Sequence, residues 1–452
     1  MNNWELTFSA GDFFIDFSWL AALLVFAYAL RQLIPVLRKI LLPANLFAGV
    51  IALIVGMNGF ELLDLNTERL GVYIYHLLAL LFIGLALRTP QKNLGLSSVR
   101  TGMAFIMTYL IQGSIGLIVA FGLIFTIWPD LFPGIGMLPP LAFGMNPGIS
   151  YTFGQNWEAF GFTSGGVVGL TFAAIGFMIA YTAGMFSVKR ALKKHVLNSD
   201  DSDNNNTVTS SNKLNINLDQ TPPEIIESLS LHIGLVGLVY VLTYGLLHLG
   251  AELLTLAGAE NEIQTLWSFH FLIAAILALI LRRIMDAFAW SDVIHDEIMT
   301  RISNLFMDLM IVASIAAISL TVALDYWLPL ILISVGSGTA TWFLMRRLVN
   351  SAFEHHQEEH FAAFFGNMTG TLQSGLLLLR LLDPKMKSPV SFNLVYGSGY
   401  ALILGFPLLL LLNAPVHYFD DPINGFAFVL AALLTYLILL LLGWKLLDRS
   451  ES

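Results

Sequence analysis

The chain has 452 residues, 56% of them hydrophobic and only 12% charged, with a formal net charge of -9 and no cysteine. Soluble domains carry about 25% charged residues, and chains beyond roughly 250–300 residues divide into domains instead of enlarging one core, so the apolar excess must face lipid. The lack of cysteine excludes disulfides, thiolate metal sites and cysteine nucleophiles, and no nucleic-acid partner is expected.

A spanning helix needs about 20 mostly apolar residues. Met1 to Asp16 shows neither a basic n-region nor a small-residue cleavage site, so the first apolar run is expected to be a true span. Spans are predicted at about 14–37, 41–57, 70–88, 101–127 and 165–187. They resume at about 229–256, 266–283, 301–323, 327–348, 391–413 and 425–446. Two further segments, 137–160 and 360–383, have the length of a span but hold Gly, Asn, Ser, Thr and Gln where a lipid-facing helix holds Leu.

Charge placement tests this map, because cytoplasmic loops of membrane proteins are enriched in Lys and Arg. With the N-terminus outside and both odd segments entering and leaving on one side, the basic groups fall inside: Arg38 and Lys39, Lys189 to Lys194, Arg282 and Arg283, Arg346 and Arg347. Of the 22 basic residues only Arg69 lies outside, among the acidic loop residues Glu61 and Asp64. Counting either odd segment as a full span would swap every later loop and destroy the segregation. Both are therefore read as re-entrant hairpins, and the C-terminus as cytoplasmic.

Residues 188–228 read as a cytoplasmic disordered linker, polar and low in complexity from Asn198 to Pro223. The linker separates a first repeat, 1–187, from a second, 229–413, and leaves an extra C-terminal helix in 414–452. The halves begin on opposite sides of the membrane, so the repeats are inverted. Phe143-Gly144 with Gly148 realigns with Phe365-Gly366 and Gly370 at constant offset. The expected fold is an all-α polytopic membrane protein with two inverted repeats of five spans, each carrying one hairpin. Such repeats with broken segments at matching positions point to a transporter whose substrate site lies near the midplane.

The hairpins carry the chemistry. Pro147 and the neighbouring glycines interrupt helical hydrogen bonding, and freed backbone groups at bilayer depth survive only where they line a wet or protein-filled cavity. Half-helix N-termini would face an anion and unwound carbonyls a cation. Asn146, Gly148, Ser150 and Thr152 in the first hairpin, with Asn367, Thr369, Gly370 and Thr371 in the second, are the candidate substrate-binding residues. The bland alternative is close helix packing through small residues. Asp308, an acid inside a predicted span, is a functional candidate by default. With Asn304, Asn146 and Asn367 it forms the candidate ion-ligand set; the alternative is an ion pair with Arg301 near the interface. Arg380, on the return arm of the second hairpin, could clamp a carboxylate or snorkel to headgroups. Gln112 and Ser114 could bond to a hairpin or merely pack. His356-Gln-Glu-Glu-His360 matches an inverted zinc-peptidase pattern in three letters only, and no ATP-binding or nucleophile-elbow sequence appears. The chain is read as a carrier driven by an ion or substrate gradient, not an enzyme.

Pro43-Ala-Asn-Leu-Phe-Ala-Gly-Val50, Leu80-Leu-Phe-Ile-Gly-Leu85 and both hairpins resemble the sodium/glutamate symporter family. The likeness extends over almost all of residues 20–413 outside the linker, most specifically Gly154 to Gly184 and Gly366-Asn-Met-Thr-Gly-Thr-Leu-Gln-Ser-Gly375. It implies a homodimer in a bacterial cytoplasmic membrane, a mobile domain carrying both hairpins in an elevator-like motion, Na⁺ as the coupling ion bound near the tips, and a dicarboxylic amino acid held between them. Met145-Asn146-Pro147-Gly148-Ile149-Ser150 departs from the Gly-His-Gly-Thr-like run of the family. A proton-coupled or exchange carrier for another organic acid, with Asp308 as the proton site, and a channel or non-transporting sensor on the same scaffold remain open alternatives.

Overall fold

The computed structural model describes residues 10–34, 42–89, 95–198, 224–288, 290, 293–384 and 386–449. Among the described residues all regular structure is helical, and eight helices are long and apolar enough to cross a membrane. The first half holds α1 (Ala10–Leu33), α2 (Ala44–Val55), α3 (Thr67–Ala86), α4 (Leu96–Thr126), α5 (Pro147–Glu158) and α6 (Gly165–Asn198). The second holds α7 (Glu224–Leu256), α8 (His270–Ala287), α9 (Asp296–Ala316), α10 (Trp327–Ala352), α11 (Gln357–Thr369), α12 (Leu372–Leu382) and α13 (Val390–Leu411). A last helix, α14, runs Pro422–Arg449. Large apolar side chains stand exposed along α1, α7 and α14, among them Phe14, Val241, Leu253 and Ile438. An outside this apolar belongs against lipid, and the chain is a polytopic membrane protein.

The helices sort into two groups. In one, α1 packs on α2, α2 on α9, α9 on α3, α3 on α8 and α8 on α7. In the other, α4 is the axis, packed along α10, α13 and α14, with α5 on α6 and the α11–α12 pair on α6. Each half thus supplies its first three helices to one group and its later ones to the other. The groups meet where α5 lies against α3 and α9. Glycines set the closest of these approaches. A Cβ at Gly71 would overlap the Tyr151 ring, and one at Gly148 would come within 2.9 Å of the Met310 sulfur.

Both odd segments double back. Before α5 the chain descends along α4 as a 3₁₀ turn, Pro133–Met137, and a π turn, Pro140–Met145. Gly136 lies backbone to backbone on Gly116, and Gly144 packs on the Tyr109 ring. The chain turns at Asn146 and returns as α5. Its entry and exit meet, with the Phe132 and Trp157 rings 6.0 Å apart and Phe132 stacked on Phe162 at 4.9 Å. The second hairpin turns at Gly370-Thr371, and its arms close on each other where Gly366 meets Gly375. Its entry is clamped to α10, because Arg346 pairs with Glu358 at 2.9 Å and lies over the Phe361 ring.

Several boundaries differ from expectation. The span predicted at 41–57 is a helix of 12 residues, entered through Pro43 and ended by the turns around Gly56 and Gly59. The span predicted at 301–323 is instead Asp296–Ala316. Acidic Asp296 and Glu297 favour the positive end of the helix dipole, and Asp296 accepts the Thr89 N–H at 2.8 Å, which fixes that start. Of the predicted linker, residues 188–198 continue α6 and 224–228 begin α7, whereas 199–223 lie outside the described residues. Arg69, the one exception to the charge rule, is neutralised. Its guanidinium pairs with buried Asp16 at 2.7 Å and with Asp64 at 3.1 Å, joining α1 to α3.

Candidate functional site

The first tip is closed on itself. Pro147 starts α5 with a pre-set φ and no orphan N–H, and the Asn146 side-chain oxygen accepts the Ile149 N–H at 2.9 Å as a helix cap. The Ser150 hydroxyl donates to the Pro147 carbonyl at 2.9 Å or the Gly169 carbonyl at 3.1 Å. Tyr109 of α4 donates to the Gly144 carbonyl at 3.0 Å, satisfying a group freed by the break. Thr152 is buried with no partner for its hydroxyl.

The second tip is held more loosely. Thr369 donates back to the Phe365 carbonyl one turn earlier at 2.7 Å, and Gln112 of α4 donates to the Met368 carbonyl at 2.9 Å, so one of the four carbonyls left open at the end of α11 is capped by a side chain. Gly370 lies too close to Ser374 for a side chain: a Cβ there would come within 2.7 Å of the Ser374 hydroxyl. The Thr371 and Ser374 hydroxyls are 3.4 Å apart, and Tyr181 of α6 donates to Ser374 at 2.8 Å. Asn367 is buried, and its amide takes no hydrogen bond from another described residue. The two hairpins converge on Gly176 of α6. A Cβ there would lie 2.7 Å from both the Phe143 ring and the Thr369 carbonyl oxygen.

Beside the second tip a polar cluster crosses between the helix groups. The Asn45 amide of α2 donates to the Asp308 carboxylate of α9 at 2.8 Å and to the Gln373 side-chain oxygen of α12 at 3.4 Å. Gln373 in turn donates to the Asn304 side-chain oxygen at 3.5 Å. Asn45 accepts the Leu46 N–H with its own oxygen at 2.7 Å, which orients the amide with its nitrogen toward Asp308. The cluster gathers one carboxylate and two amide oxygens, with no basic side chain among these partners. Asp308 is bound by an amide and makes no ion pair with Arg301. α9 faces both elements: Met310, two residues on, covers Gly148 of the first hairpin.

Of the predicted site residues, Asn146, Gly148, Thr369, Gly370 and Thr371 occupy the two tips, and Asn304 and Asp308 share the cluster. Asn146 and Asn367 make no bond to that cluster. Arg380 is exposed near the end of α12 and makes no ion pair among the described residues. The member that sequence reasoning left out is Asn45, whereas Gln373 belongs to the hairpin run already singled out. The available signal was an amide in an apolar helix directly after Pro43. His356-Gln-Glu-Glu-His360 is structural. His360 bonds the His356 carbonyl at 2.8 Å through one ring nitrogen and Asn393 at 3.1 Å through the other, leaving neither for a metal. No trio of His, Asp or Glu able to hold a metal ion occurs among the described residues. Comparison with known protein families and with characterised proteins finds no match.

Proposed function

We propose that the protein is a secondary active transporter that takes up glutamate or a related carboxylate together with Na⁺. The observation that carries this reading is the convergence of two broken helical hairpins on Gly176, with the Asp308 cluster against the second one. Half-helices that end inside a bundle offer N–H groups to an anion and carbonyls to a cation. The N-terminal ends of α5 and α12 and the C-terminal end of α11 stand at the tips, and Asp308, Asn304 and Gln373 supply oxygens for a hard cation beside them.

The packing supports an inverted repeat and alternating access. If the halves are exchanged, the pairing of α2 with α9 becomes that of α8 with α3, while α3–α9 and α4–α10 map onto themselves. The group built on α4, with both hairpins, is the mobile part, and the group of α1–α3 with α7–α9 is the scaffold. Between them Gln373 makes only the long contacts to Asn45 and Asn304, which a sliding interface can exchange. The resemblance to sodium/glutamate symporters points to the same architecture, to a homodimer and to a bacterial cytoplasmic membrane.

The test is uptake by protein reconstituted in liposomes, driven in turn by an inward Na⁺ gradient and an inward proton gradient. Uptake of an acidic amino acid under the Na⁺ gradient alone is expected. Uptake that follows pH and ignores Na⁺ would reassign Asp308 as a proton carrier. No uptake under either gradient would leave the scaffold without a transport role.

A further inference from the structure

Gln112 sits near the middle of α4 and is completely buried. Its amide nitrogen donates to the Thr341 hydroxyl at 2.8 Å and to the Met368 carbonyl at 2.9 Å. Thr341 gives its own proton to the Ser337 carbonyl at 2.7 Å, so toward Gln112 it acts as an acceptor. Both neighbours being acceptors settles the orientation of the amide, since turning it over would set its oxygen against two others. The side-chain oxygen of Gln112 is left with no partner in an enclosed place, which native interiors rarely leave unexplained.

The helix end that Gln112 touches through Met368 carries carbonyl oxygens. The Met368 carbonyl keeps a second lone pair, and the Thr369 carbonyl stands at Gly176. Both belong to the C-terminal end of α11, where the helix dipole is negative. An orphaned amide oxygen beside carbonyls with lone pairs to spare at such an end suits a positive charge.

We infer that the Gln112 side-chain oxygen, with the Met368 and Thr369 carbonyls, forms a subsite for a monovalent cation, either the coupling ion or the ammonium group of an amino-acid cargo. The inference rests on the carrier reading above and adds to it a residue of α4. Gln112 belongs to the same helix group as the hairpin, so the subsite stays assembled when that group moves.

The experiment is thermal unfolding of the purified full-length protein. Na⁺ is titrated alone; L-glutamate and glutarate, which lacks the amino group, are then titrated at one saturating Na⁺ concentration. Gln112→Met removes the oxygen at similar length, and Gln112→Asn withdraws it by one methylene, a milder change should the first variant fold poorly. Each is expected to weaken the response about tenfold or more. The loss falls on Na⁺ if the subsite holds the ion, and on glutamate relative to glutarate if it holds the ammonium. Ser334→Ala, which deletes another unpartnered buried hydroxyl on α10, is expected to change neither. Folded Gln112 variants that titrate like the wild type overturn the inference, as does equal weakening of glutamate and glutarate with Na⁺ unchanged. A wild type silent toward Na⁺ and toward both acids is a different result, and removes the carrier reading itself.

Discussion

At the first hairpin tip, Asn146 caps its own helix, Ser150 bonds carbonyls of α5 and α6, and Tyr109 covers the carbonyl freed at Gly144. At the second tip, the Asn367 amide has no described partner, the Gln112 oxygen is orphaned, and Gln373 reaches Asn45 and Asn304 only at 3.4 and 3.5 Å. Both segments carry Gly, Asn and Thr, yet at the first tip Asn146 and Ser150 hold the turn's shape, with Thr152 farther along α5 left unpartnered, whereas at the second tip Asn367 stays unpaired among the described residues and the Gln112 oxygen is orphaned. Polar residues inside a membrane protein are therefore not equivalent evidence of binding. What counts is whether the fold has already paired them.

The largest effect that bears on this contrast is expected at Asp308. Asp308→Asn preserves shape but removes the charge beside the second tip, and Na⁺-driven uptake in liposomes is predicted to fall about a hundredfold. Retained uptake would detach the polar cluster from function. Gly176→Ala comes next, because the added methyl would press on the Thr369 carbonyl, a backbone atom, as well as on the Phe143 ring. Uptake should be lost although alanine is the better helix former by about 1 kcal/mol; normal uptake would show that the tips need not meet there.

The third test sets the hairpins directly against each other. Asn367→Ala should weaken the stabilisation by Na⁺ and acid about tenfold while leaving the apo unfolding temperature near that of the wild type. Asn146→Ala should instead lose a helix cap, about 1 kcal/mol of stability, and respond to ligand with little change. The reverse pattern would exchange the roles given to the two tips.

The smallest effect lies in the loop after α12. Asp383 accepts the Ser388 N–H at 2.8 Å and the Lys387 N–H at 3.1 Å, and these bonds, the Ser388 one first, hold its carboxyl below the usual carboxylate range. A carboxyl lowered in the folded state contributes stability above its unfolded value of about 4, lost as pH falls through the folded one. Asp383→Asn should therefore narrow slightly the stability difference between pH 6 and pH 3. An unchanged or wider difference contradicts that role.

Much of this was legible in the sequence. Pro147 and Gly370 mark the two turns because neither can be continued as ordinary helix at that packing, and the charge segregation led to the expectation that both segments double back. Even the exception was informative, since Arg69 is paired with the acids Asp16 and Asp64 that neutralise it. The pairings were not legible. Asn45 meets Asp308 across 263 positions and Gln112 meets Met368 across 256, and neither hydropathy nor helical period carries information about such contacts. The early start of α9 was hidden for a related reason, because it depends on Thr89 of another loop bonding to Asp296.

The most direct test of the account is the thermal stability of the wild-type protein with and without Na⁺, across a panel of amino and organic acids. A ligand that binds only the folded state raises stability with the logarithm of its saturation. The account predicts that an acidic amino acid or a related carboxylate stabilises the protein only when Na⁺ is present. Stabilisation by the acid to the same extent in Na⁺-free buffer, or by neither Na⁺ nor any acid on folded protein, would contradict it.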